Sequence, residues 1–330
     1  TVQDRSLFVC IPGANVDGHD FIDQVIDKGA RVIVVEHDVP FQEGITYIHV
    51  KESRLALALL SCAFFEHPSR HMTVIGITGT KGKTTTSYMM ESILEKANKK
   101  VGIIGTIGSI VNGEFQKTKN TTPESFELQR LMRQMVECGC EYCVMEVSSQ
   151  GLMLNRVAGI DFDYGVFTNL SPDHIGEHEH HSFEHYMACK KMLFQMCRVG
   201  IFNRDDEHYE DMINGAKCDI KTYSIHQQSD LKASQISLSQ GLGTLGVSFQ
   251  TSGLIHANFE TDIPGQFSVY NSLVAIILCH LLGIETNYIK EALKKVRVRG
   301  RVEIVPVGQK YTVMIDYAHN ALSFESILQT

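Results

Sequence analysis

The chain has 330 residues, 43% of them hydrophobic and 21% charged, with a formal net charge of −8 at pH 7. This composition is typical of a globular protein that is too long for one ordinary domain. The negative charge argues against a protein that binds nucleic acid through a general positive potential, so any phosphate must be bound by a local site.

The sequence also predicts where the protein works. No apolar run reaches the length of a membrane-spanning helix, and residues 1–20 lack the pattern of a signal peptide. The nine cysteines are scattered and odd in number, which is typical of reduced thiols. We therefore expect a cytoplasmic protein with no membrane association.

The hydrophobic pattern predicts an α/β protein. A small N-terminal unit has strands at 7–11, 31–36 and 45–50 and helices at 19–30 and 53–67. Further strands are predicted at 72–78, 101–105, 141–147, 163–168 and 199–203, alternating with helices at 83–97, 124–137 and 182–197. This alternation indicates a doubly wound, mostly parallel sheet with helices on both faces. After it come a strand-rich segment at 221–262, helices at 265–284 and 286–296, and one strand and one helix within 310–330.

These elements divide into residues 1–70, 71–300 and 301–330. The last range holds one strand and one helix, which cannot bury a hydrophobic core of their own. Either it completes the preceding domain or it is the beginning of a truncated C-terminal domain, and we expect the latter.

The stretch "GITGTKGKTTT" lies between a predicted strand and a predicted helix and has the composition of a phosphate-binding loop. Gly79 and Gly82 let backbone N–H groups turn towards an anion, and the helix that follows adds the positive end of its dipole. Lys83 is placed to reach the terminal phosphates and Thr84 to bind Mg²⁺. The usual pattern has glycine where Ile77 stands. The loop by itself leaves a kinase, a ligase and an ATP-driven switch open.

The strand "YCVME" ends in a carboxylate at the sheet edge where doubly wound proteins bind ligands. Glu146 could complete the Mg²⁺ shell, the alternative being a solvated strand-end glutamate. The nearby "CGCEYC" is best interpreted as packed free thiols, because no second CxxC follows it.

Five histidines lie in the stretch "TNLSPDHIGEHEHHSFEHYMACKKMLF". Their spacing predicts no structural zinc site, and we expect most of them on the surface. His174 is set apart because it directly follows a strand end and Asp173. Lys190 and Lys191 lie on the next predicted helix, where a lysine is best interpreted as a solvated surface charge.

Together these stretches resemble the Mur ligases, in particular the branch that adds the third residue of the peptidoglycan stem peptide. The similar stretches follow the family order over nearly the whole chain: "DGHDFI", "GITGTKGKTTT", "NTTPES", "MEVSSQGL", "FTNLSPDHIG", "HYMACKKMLF", "NSLVAI", "GRVEIV" and "IDYAHN". The shortened phosphate loop is the family's own form, which explains Ile77.

The resemblance implies an ATP-dependent amide ligase that acts as a monomer. ATP phosphorylates a carboxylate of UDP-N-acetylmuramoyl-L-alanyl-D-glutamate, and the amine of a diamino acid, L-lysine or meso-diaminopimelate, displaces the phosphate. It also implies a UDP-sugar-binding N-terminal domain, a central ATP-binding domain and a Rossmann-like C-terminal domain, which reads the incoming amino acid. "TGTKGKT", "EVSSQ" and "SPDHIG" are similar to the lysine-adding branch.

The resemblance further implies a role for each matching residue. The ATP site would consist of Gly79, Thr80, Lys81, Gly82, Lys83, Thr84, Thr85, Asn271, Arg301 and Asp316. The UDP-linked substrate would be held by Asn15, Thr121, Thr122, Ser148 and Arg156. Mg²⁺ ions would be bound by Thr84, Glu146, His174 and a carbamylated Lys190, and the catalytic set would be Lys83, Glu146, His174 and Lys190.

A carbamate forms only on a neutral amine, and Lys191 is the neighbouring cation expected to keep Lys190 neutral.

Two other functions stay open at this point. A folylpolyglutamate-type ligase shares the fold and chemistry, although "NTTPES" and residues 1–70 argue against it. A protein that binds ATP without turnover is the other alternative, against which Glu146, His174 and Lys190 argue.

Overall fold

The structure is a computed structural model, which describes residues 2–13, 16–176, 179–241, 244–298, 300–305, 313–318 and 324. Asn15 and, apart from Phe324, the helix predicted near the end of the chain lie outside these residues. Within them, no helix is both long and apolar enough to cross a membrane.

The N-terminal unit is a three-stranded parallel sheet with two helices. Its elements in chain order are β1 (Leu7–Val9), α1 (Ile22–Asp27), β2 (Val32–Val35), β3 (Thr46–His49) and α2 (Ser53–Phe64). The strands pair in the order β1-β2-β3. A small core that includes Ile22, Val25 and Ile33 holds α1 against this sheet.

The second sheet has eleven strands in the described part of the chain, in the order β14-β13-β12-β11-β10-β9-β4-β8-β5-β6-β7. Its first elements are β4 (Thr73–Thr78), α3 (Lys83–Lys96), β5 (Val101–Ile104), β6 (Ser109–Val111), β7 (Glu114–Gln116), α4 (Ser125–Glu137), β8 (Tyr142–Glu146), α5 (Ser149–Met153) and β9 (Phe162–Phe167). The remainder are α6 (Phe183–Lys191), α7 (Leu193–Met196), β10 (Cys197–Asn203), α8 (Tyr209–Ile213), β11 (Asp219–Ser224), β12 (Leu231–Gly241), β13 (Thr244–Gly253), β14 (Ala257–Thr261), α9 (Gln266–Leu281) and α10 (Thr286–Leu293).

The sheet is parallel from β12 to β5 and antiparallel at both edges. The predicted α/β class with a mostly parallel sheet is therefore confirmed. A separate pair, β15 (Glu303–Val305) and β16 (Val313–Ile315), is antiparallel.

The central strands β4 and β8 of the large sheet are buried on both faces, as their near-continuous apolar sequences require. Ile75 and Ile77 of β4 lie in the core that α3 and α9 cover, whereas Val74 lies in the core that α4 covers. This alternation follows from the two-residue repeat of a strand. In β4 the polar side chains, Thr73 and Thr78, lie at the two strand ends, and in β8 the carboxylate of Glu146 is the last residue.

The carboxyl ends of β8, β4 and β9 meet at one edge of the sheet. Ile77 pairs with Glu146, and Thr78 pairs with Phe167. The phosphate loop after β4, the carboxylate that ends β8 and the segment after β9 are thus brought together by strand register alone. This is the edge where open α/β sheets bind ligands.

Candidate active site

The loop from β4 to α3 needs its glycines because of close neighbours as well as backbone conformation. Gly79 has φ +139°, and a Cβ there would lie 2.0 Å from Thr168 Oγ1. Gly82 has φ +87°, and a Cβ there would lie 2.5 Å from Asn271 Oδ1. Both values of φ are rare for residues other than glycine. The loop therefore packs closely against the segments that follow β9 and begin α9.

Residues after β9 hold the loop in place. Thr168 Oγ1 donates to the Lys81 carbonyl over 2.7 Å, and the Thr80 N–H donates to the Asn169 carbonyl over 2.8 Å. Lys83, the first residue of α3, donates from Nζ to the carbonyls of Gly79 and Thr80 over 2.9 and 3.0 Å. Burial lowers the pKa of Lys83, and the carboxylate of Glu146 opposes that shift.

Glu146 is 1% exposed, so it is not a solvated strand-end carboxylate. Its Oε1 accepts from Thr84 Oγ1 over 2.9 Å and from the Thr106 N–H over 3.0 Å. Its Oε2 accepts from Thr106 Oγ1 over 3.0 Å. The carboxylate is thus oriented at the start of α3 beside the Thr84 hydroxyl, and these are hard oxygen donors of the kind that Mg²⁺ prefers.

Lys190 is 2% exposed, so the interpretation of this lysine as a solvated surface charge is wrong. Its Nζ donates to the Gly79 carbonyl over 2.9 Å and lies 4.4 Å from the centre of the Tyr186 ring. Burial, and then the charge of Lys83, hold the pKa of Lys190 well below its usual value. The cation that favours a neutral amine is therefore Lys83 and not Lys191, which is partly exposed.

His174 lies at the mouth of the same region. It has φ +55°, its side chain is 55% exposed, and its Nδ1 is 3.0 Å from Glu179 Oε1. Next to it, Asp173 is 3.5 Å from Lys81 Nζ. His174 therefore faces the loop from the β9 side while remaining open to solvent.

A cavity of about 410 Å³ brings most of the expected site residues together. Its lining includes Thr80, Lys81, Gly82, Lys83, Thr84, Thr85, Thr121, Glu146, Ser148, Arg156, His174, Lys190 and Arg301. Gly79 and Thr122 do not line it. The Gly79 carbonyl accepts hydrogen bonds from Lys83 Nζ and Lys190 Nζ. Thr122 Oγ1 donates to the Glu146 carbonyl over 2.9 Å.

A second cavity of about 440 Å³ adjoins the first and shares Lys81, Gly82, Thr85 and Arg301 with it. Asn271 and Asp316 line this second cavity, together with Tyr223, Ile263, Phe267 and Tyr270. One cavity is thus centred on the phosphate loop, and the other offers flat apolar side chains beside it.

Arg156 is anchored deep in the first cavity. Its Nη2 is 2.6 Å from Glu124 Oε1, and its Nη1 donates to the Thr122 carbonyl over 3.2 Å. Its buried Nε has no hydrogen-bond partner among the described residues. Ser148 accepts from the Gly151 N–H and so begins α5 beside this guanidinium.

Sequence reasoning missed several residues of this region. Thr106 orients Glu146, and Tyr186 places its hydroxyl 3.1 Å from Thr80 Oγ1. The expectation that most histidines lie on the surface is wrong for His180, which is fully buried with its Nε2 2.8 Å from Ser149 Oγ. The signal that was overlooked is the four-residue spacing of His185 and Cys189 on α6, beside His180.

Two protein-family models match this chain. A family model described as "Mur ligase middle domain" matches residues 77–279, and one described as "Mur ligase family, catalytic domain" matches residues 1–65. The UDP-N-acetylmuramoyl-L-alanyl-D-glutamate--2,6-diaminopimelate ligase of Clostridium perfringens is 41% identical over 336 residues, covering 100% of this chain and 68% of its own length. The ligase of the same name from Geobacillus thermodenitrificans is 40% identical over 344 residues, with coverages of 100% and 68%.

Solved structures show the same fold. The structure of a UDP-N-acetylmuramoyl-L-alanyl-D-glutamate--2,6-diaminopimelate ligase has a TM-score of 0.84 at 23% identity, covering 100% of this chain and 68% of its own. A folylpolyglutamate synthase from Mycobacterium tuberculosis has a TM-score of 0.64 at 17% identity, covering 84% of this chain and 70% of its own. On the two matching family models and the identity of about 40% over the whole chain, this protein belongs to the Mur ligase family.

Proposed function

We propose that this protein is an ATP-dependent ligase that joins meso-2,6-diaminopimelate to UDP-N-acetylmuramoyl-L-alanyl-D-glutamate. The observation that carries the reaction class is the meeting of Lys83, the Thr84–Glu146 pair and buried Lys190 around one phosphate loop. The substrates are proposed from the names of relatives that are about 40% identical. These relatives favour diaminopimelate over L-lysine.

The chemistry explains why such a site needs so many charged groups. A carboxylate is a poor electrophile, and phosphorylation by ATP gives it a leaving group. The substrate carboxylate and the ATP phosphates are both anions, so their approach must be compensated by positive charge. Lys83 would neutralise the terminal phosphates, and the loop N–H groups would bind them at the start of α3.

The donor set around Glu146 fits Mg²⁺. Thr84 and Glu146 offer a hydroxyl and a buried carboxylate, 2.9 Å apart, at the start of the phosphate loop helix. They would hold a first Mg²⁺, which neutralises phosphate charge when it is bound. His174 and Lys190 would hold a second Mg²⁺ once Lys190 has reacted with CO₂, because a carbamate supplies the oxygen anion that an amine lacks.

The two cavities divide the substrates between them. Asn271, Arg301 and Asp316 line the more apolar cavity, which we assign to the nucleoside part of ATP. Thr121, Ser148 and Arg156 line the other one, which we assign to the UDP-linked peptide, with Thr122 positioning Ser148 from below. Asn15 stays part of this proposal from the resemblance alone.

We retain three domains at 1–70, 71–300 and 301–330 as a proposal, supported by a separate sheet in each range. We also propose a monomer, since residues of one chain line both cavities. The cytoplasm is the proposed location because it supplies ATP.

The test is a reconstitution with the natural full-length protein. ADP release and tripeptide formation should require ATP, Mg²⁺, the UDP-linked dipeptide and meso-diaminopimelate together. Product formation with L-lysine at an equal or higher kcat/KM would refute the assigned amino acid. Glutamate addition to a folate, with no reaction of the UDP-linked dipeptide, would favour the folylpolyglutamate alternative.

Lys83→Ala should abolish ADP release, because it removes the cation at the start of α3 that would neutralise the terminal phosphates. Lys96→Ala, at the exposed far end of the same helix, is the matched control and should stay active. A Lys83→Ala protein with normal turnover would disprove the loop assignment.

A further inference from the structure

The described residues hold two clusters of side chains that could bind a metal outside the Mg²⁺ donor set, and they differ in how their nitrogens are used. In the first, His19 Nδ1 is 2.6 Å from Asp17, and its Nε2 accepts from the Glu36 N–H over 3.1 Å. Both ring nitrogens of His19 are therefore used by groups within the N-terminal unit. The second cluster consists of His180, His185 and Cys189, and in it the Nδ1 atoms of the two histidines face each other, so a metal ion would replace the contact between them.

The three ligand atoms of the second cluster converge. His180 Nδ1 and His185 Nδ1 are 3.4 Å apart, and one ring nitrogen of each histidine and the Cys189 sulfur all lie within 4.8 Å of one another. Ligand atoms of a tetrahedral zinc ion with the usual bond lengths are separated by about 3.4 to 3.7 Å. The two nitrogens already have that separation, and the sulfur needs a shift of about 1 Å at most.

The outer contacts orient His180 for this role. Its Nε2 is 2.8 Å from Ser149 Oγ, so the ring proton on Nε2 can be donated there and the Nδ1 lone pair faces His185. A metal-binding histidine commonly uses its second nitrogen in this way.

We propose that His180, His185 and Cys189 bind one Zn²⁺ ion, with a water molecule as the fourth ligand. Two imidazoles and a thiolate are softer donors than Mg²⁺ accepts, and they suit zinc. His180 and Cys189 are buried at 0% and 4% exposure, and His185 is partly exposed, so solvent reaches the open position from the His185 side.

Such an ion would fasten the loop after β9 to α6. The His180 N–H donates to the His174 carbonyl over 3.0 Å, and the Gly176 N–H donates to the His180 carbonyl over 3.1 Å. Cys189 precedes Lys190 on α6. Zinc at this position therefore fixes His174 and Lys190 relative to each other without touching either side chain.

Cobalt is the probe of choice because its spectrum reports thiolate ligation. The metal-free protein is titrated with Co²⁺ in excess Mg²⁺, so that hard oxygen sites are already filled, and Zn²⁺ is then added as competitor. We expect one equivalent of Co²⁺ with a thiolate-to-cobalt charge-transfer band that Zn²⁺ removes. Absence of the band in the wild-type protein would overturn the proposal.

Variants identify the ligands. Cys189→Ser should lose the band, whereas Cys138→Ser, which changes a more exposed thiol outside the cluster, should keep it. The reverse pattern would place the metal elsewhere. His185→Gln, at a partly exposed position, should weaken the binding of both Co²⁺ and Zn²⁺ at least tenfold. Unchanged affinity would exclude His185 as a metal ligand. This variant also decides the question if Cys189→Ser does not fold, which circular dichroism of the metal-free proteins will show.

The fastening role has its own readout. Zn²⁺ should slow amide hydrogen exchange in peptides that span His174 and His180 in the wild-type protein, and should leave the same peptides of Cys189→Ser unchanged. Equal slowing in both proteins would disprove the role of this cluster.

Discussion

Lys190 shows how burial changes the chemistry of one residue. Its amine is 111 residues away in sequence from the Gly79 carbonyl that it contacts. Burial and the nearby charge of Lys83 lower its pKa, and a neutral amine is the form that reacts with CO₂. The same burial that lowers the pKa of this amine would favour the proposed reaction with CO₂.

Lys190→Ala should reduce ligation by about two orders of magnitude or more, the effect of removing one group that stabilises transition-state charge. Lys191→Ala is the matched control, since Lys191 is adjacent but partly exposed, and it should retain normal activity. Intact-mass analysis in bicarbonate should show the mass of one CO₂ on the wild-type protein and on Lys191→Ala, but not on Lys190→Ala. Formate or acetate should partly restore Lys190→Ala. Full activity of Lys190→Ala, with no added mass on the wild-type protein, would refute the carbamate.

Gly79→Ala tests the close packing of the phosphate loop. The added Cβ would lie 2.0 Å from Thr168 Oγ1, in addition to the strain of φ +139°. We expect a loss of about 2 to 4 kcal/mol in the free energy of unfolding, with loss of ATP binding.

Gly215→Ala is the control for this prediction, because its φ is +79° and no atom lies within 4 Å of the added Cβ. Strain alone should cost it about 1 to 2 kcal/mol. Urea denaturation of both variants measures the difference. Equal losses would show that Thr168 yields to the new methyl group and that the loop is not closely packed.

At the scale of the element, α3 contributes both to the phosphate loop and to the hydrophobic core. Its first turn carries Lys83 and Thr84 beside the phosphate loop, and its middle packs into the core through Met89, Met90 and Ile93. Glu91 follows directly after these methionines, where burial and then the charge of Glu95 raise its pKa to about 7. The helix therefore contains a carboxylate that is easier to bury when protonated.

Glu91→Gln should stabilise the protein above pH 7. The folded-state pKa of Glu91 lies above its unfolded value near 4.5, so folding binds a proton between these values. Stability is therefore fully present below about pH 4.5 and decreases as pH rises towards 7. After discounting for partial exposure, we expect the variant to gain about 1 to 3 kcal/mol over wild type at pH 8 and little at pH 4.5.

Urea denaturation at the two pH values measures this difference. Glu95→Gln, at an exposed position one turn away, should give a smaller gain because it removes only the repulsion. A difference between wild type and Glu91→Gln that does not change with pH would contradict the raised pKa.

At the scale of the whole molecule, the expected reduced thiols are distributed unevenly. The nine cysteines all lie in the described part of the chain as free thiols, with only Cys138 and Cys218 partly exposed. A hydrogen bond with Cys197 lowers the pKa of Cys218, which increases its thiolate fraction. Burial raises the pKa of other thiols, among them Cys10 and Cys62, and raises that of Cys143 to about 12.

Ellman's reagent should therefore react quickly with two thiols in the folded protein and with all nine in denaturant. Cys218→Ser should remove the fastest phase, and Cys138→Ser the second. A fast phase of more than two thiols, or one that survives both substitutions, would contradict the described burial.

Several elements could be predicted because their signals are local. The glycines, lysine and threonines of the phosphate loop lie within a few residues of each other, and the apolar runs of β4, β8 and β9 mark a buried parallel sheet. Other elements lacked such signals. The hairpin β6–β7 is short, and the helix predicted at 182–197 breaks at Met192 into α6 and α7, so that Cys197 already belongs to β10.

The site likewise has a part that the sequence predicts and a part that it does not. Strand alternation places the loop, Glu146 and the segment after β9 at one edge of the sheet, because parallel strands expose their carboxyl ends together. Which of the later side chains enter that site depends on how α6 packs, and no local pattern specifies it. Lys190 and His180 look like surface residues in sequence, yet both are buried in the folded chain. Their hydrogen-bond partners, Gly79 and Ser149, lie in segments that are distant in sequence, so only the tertiary structure shows this burial.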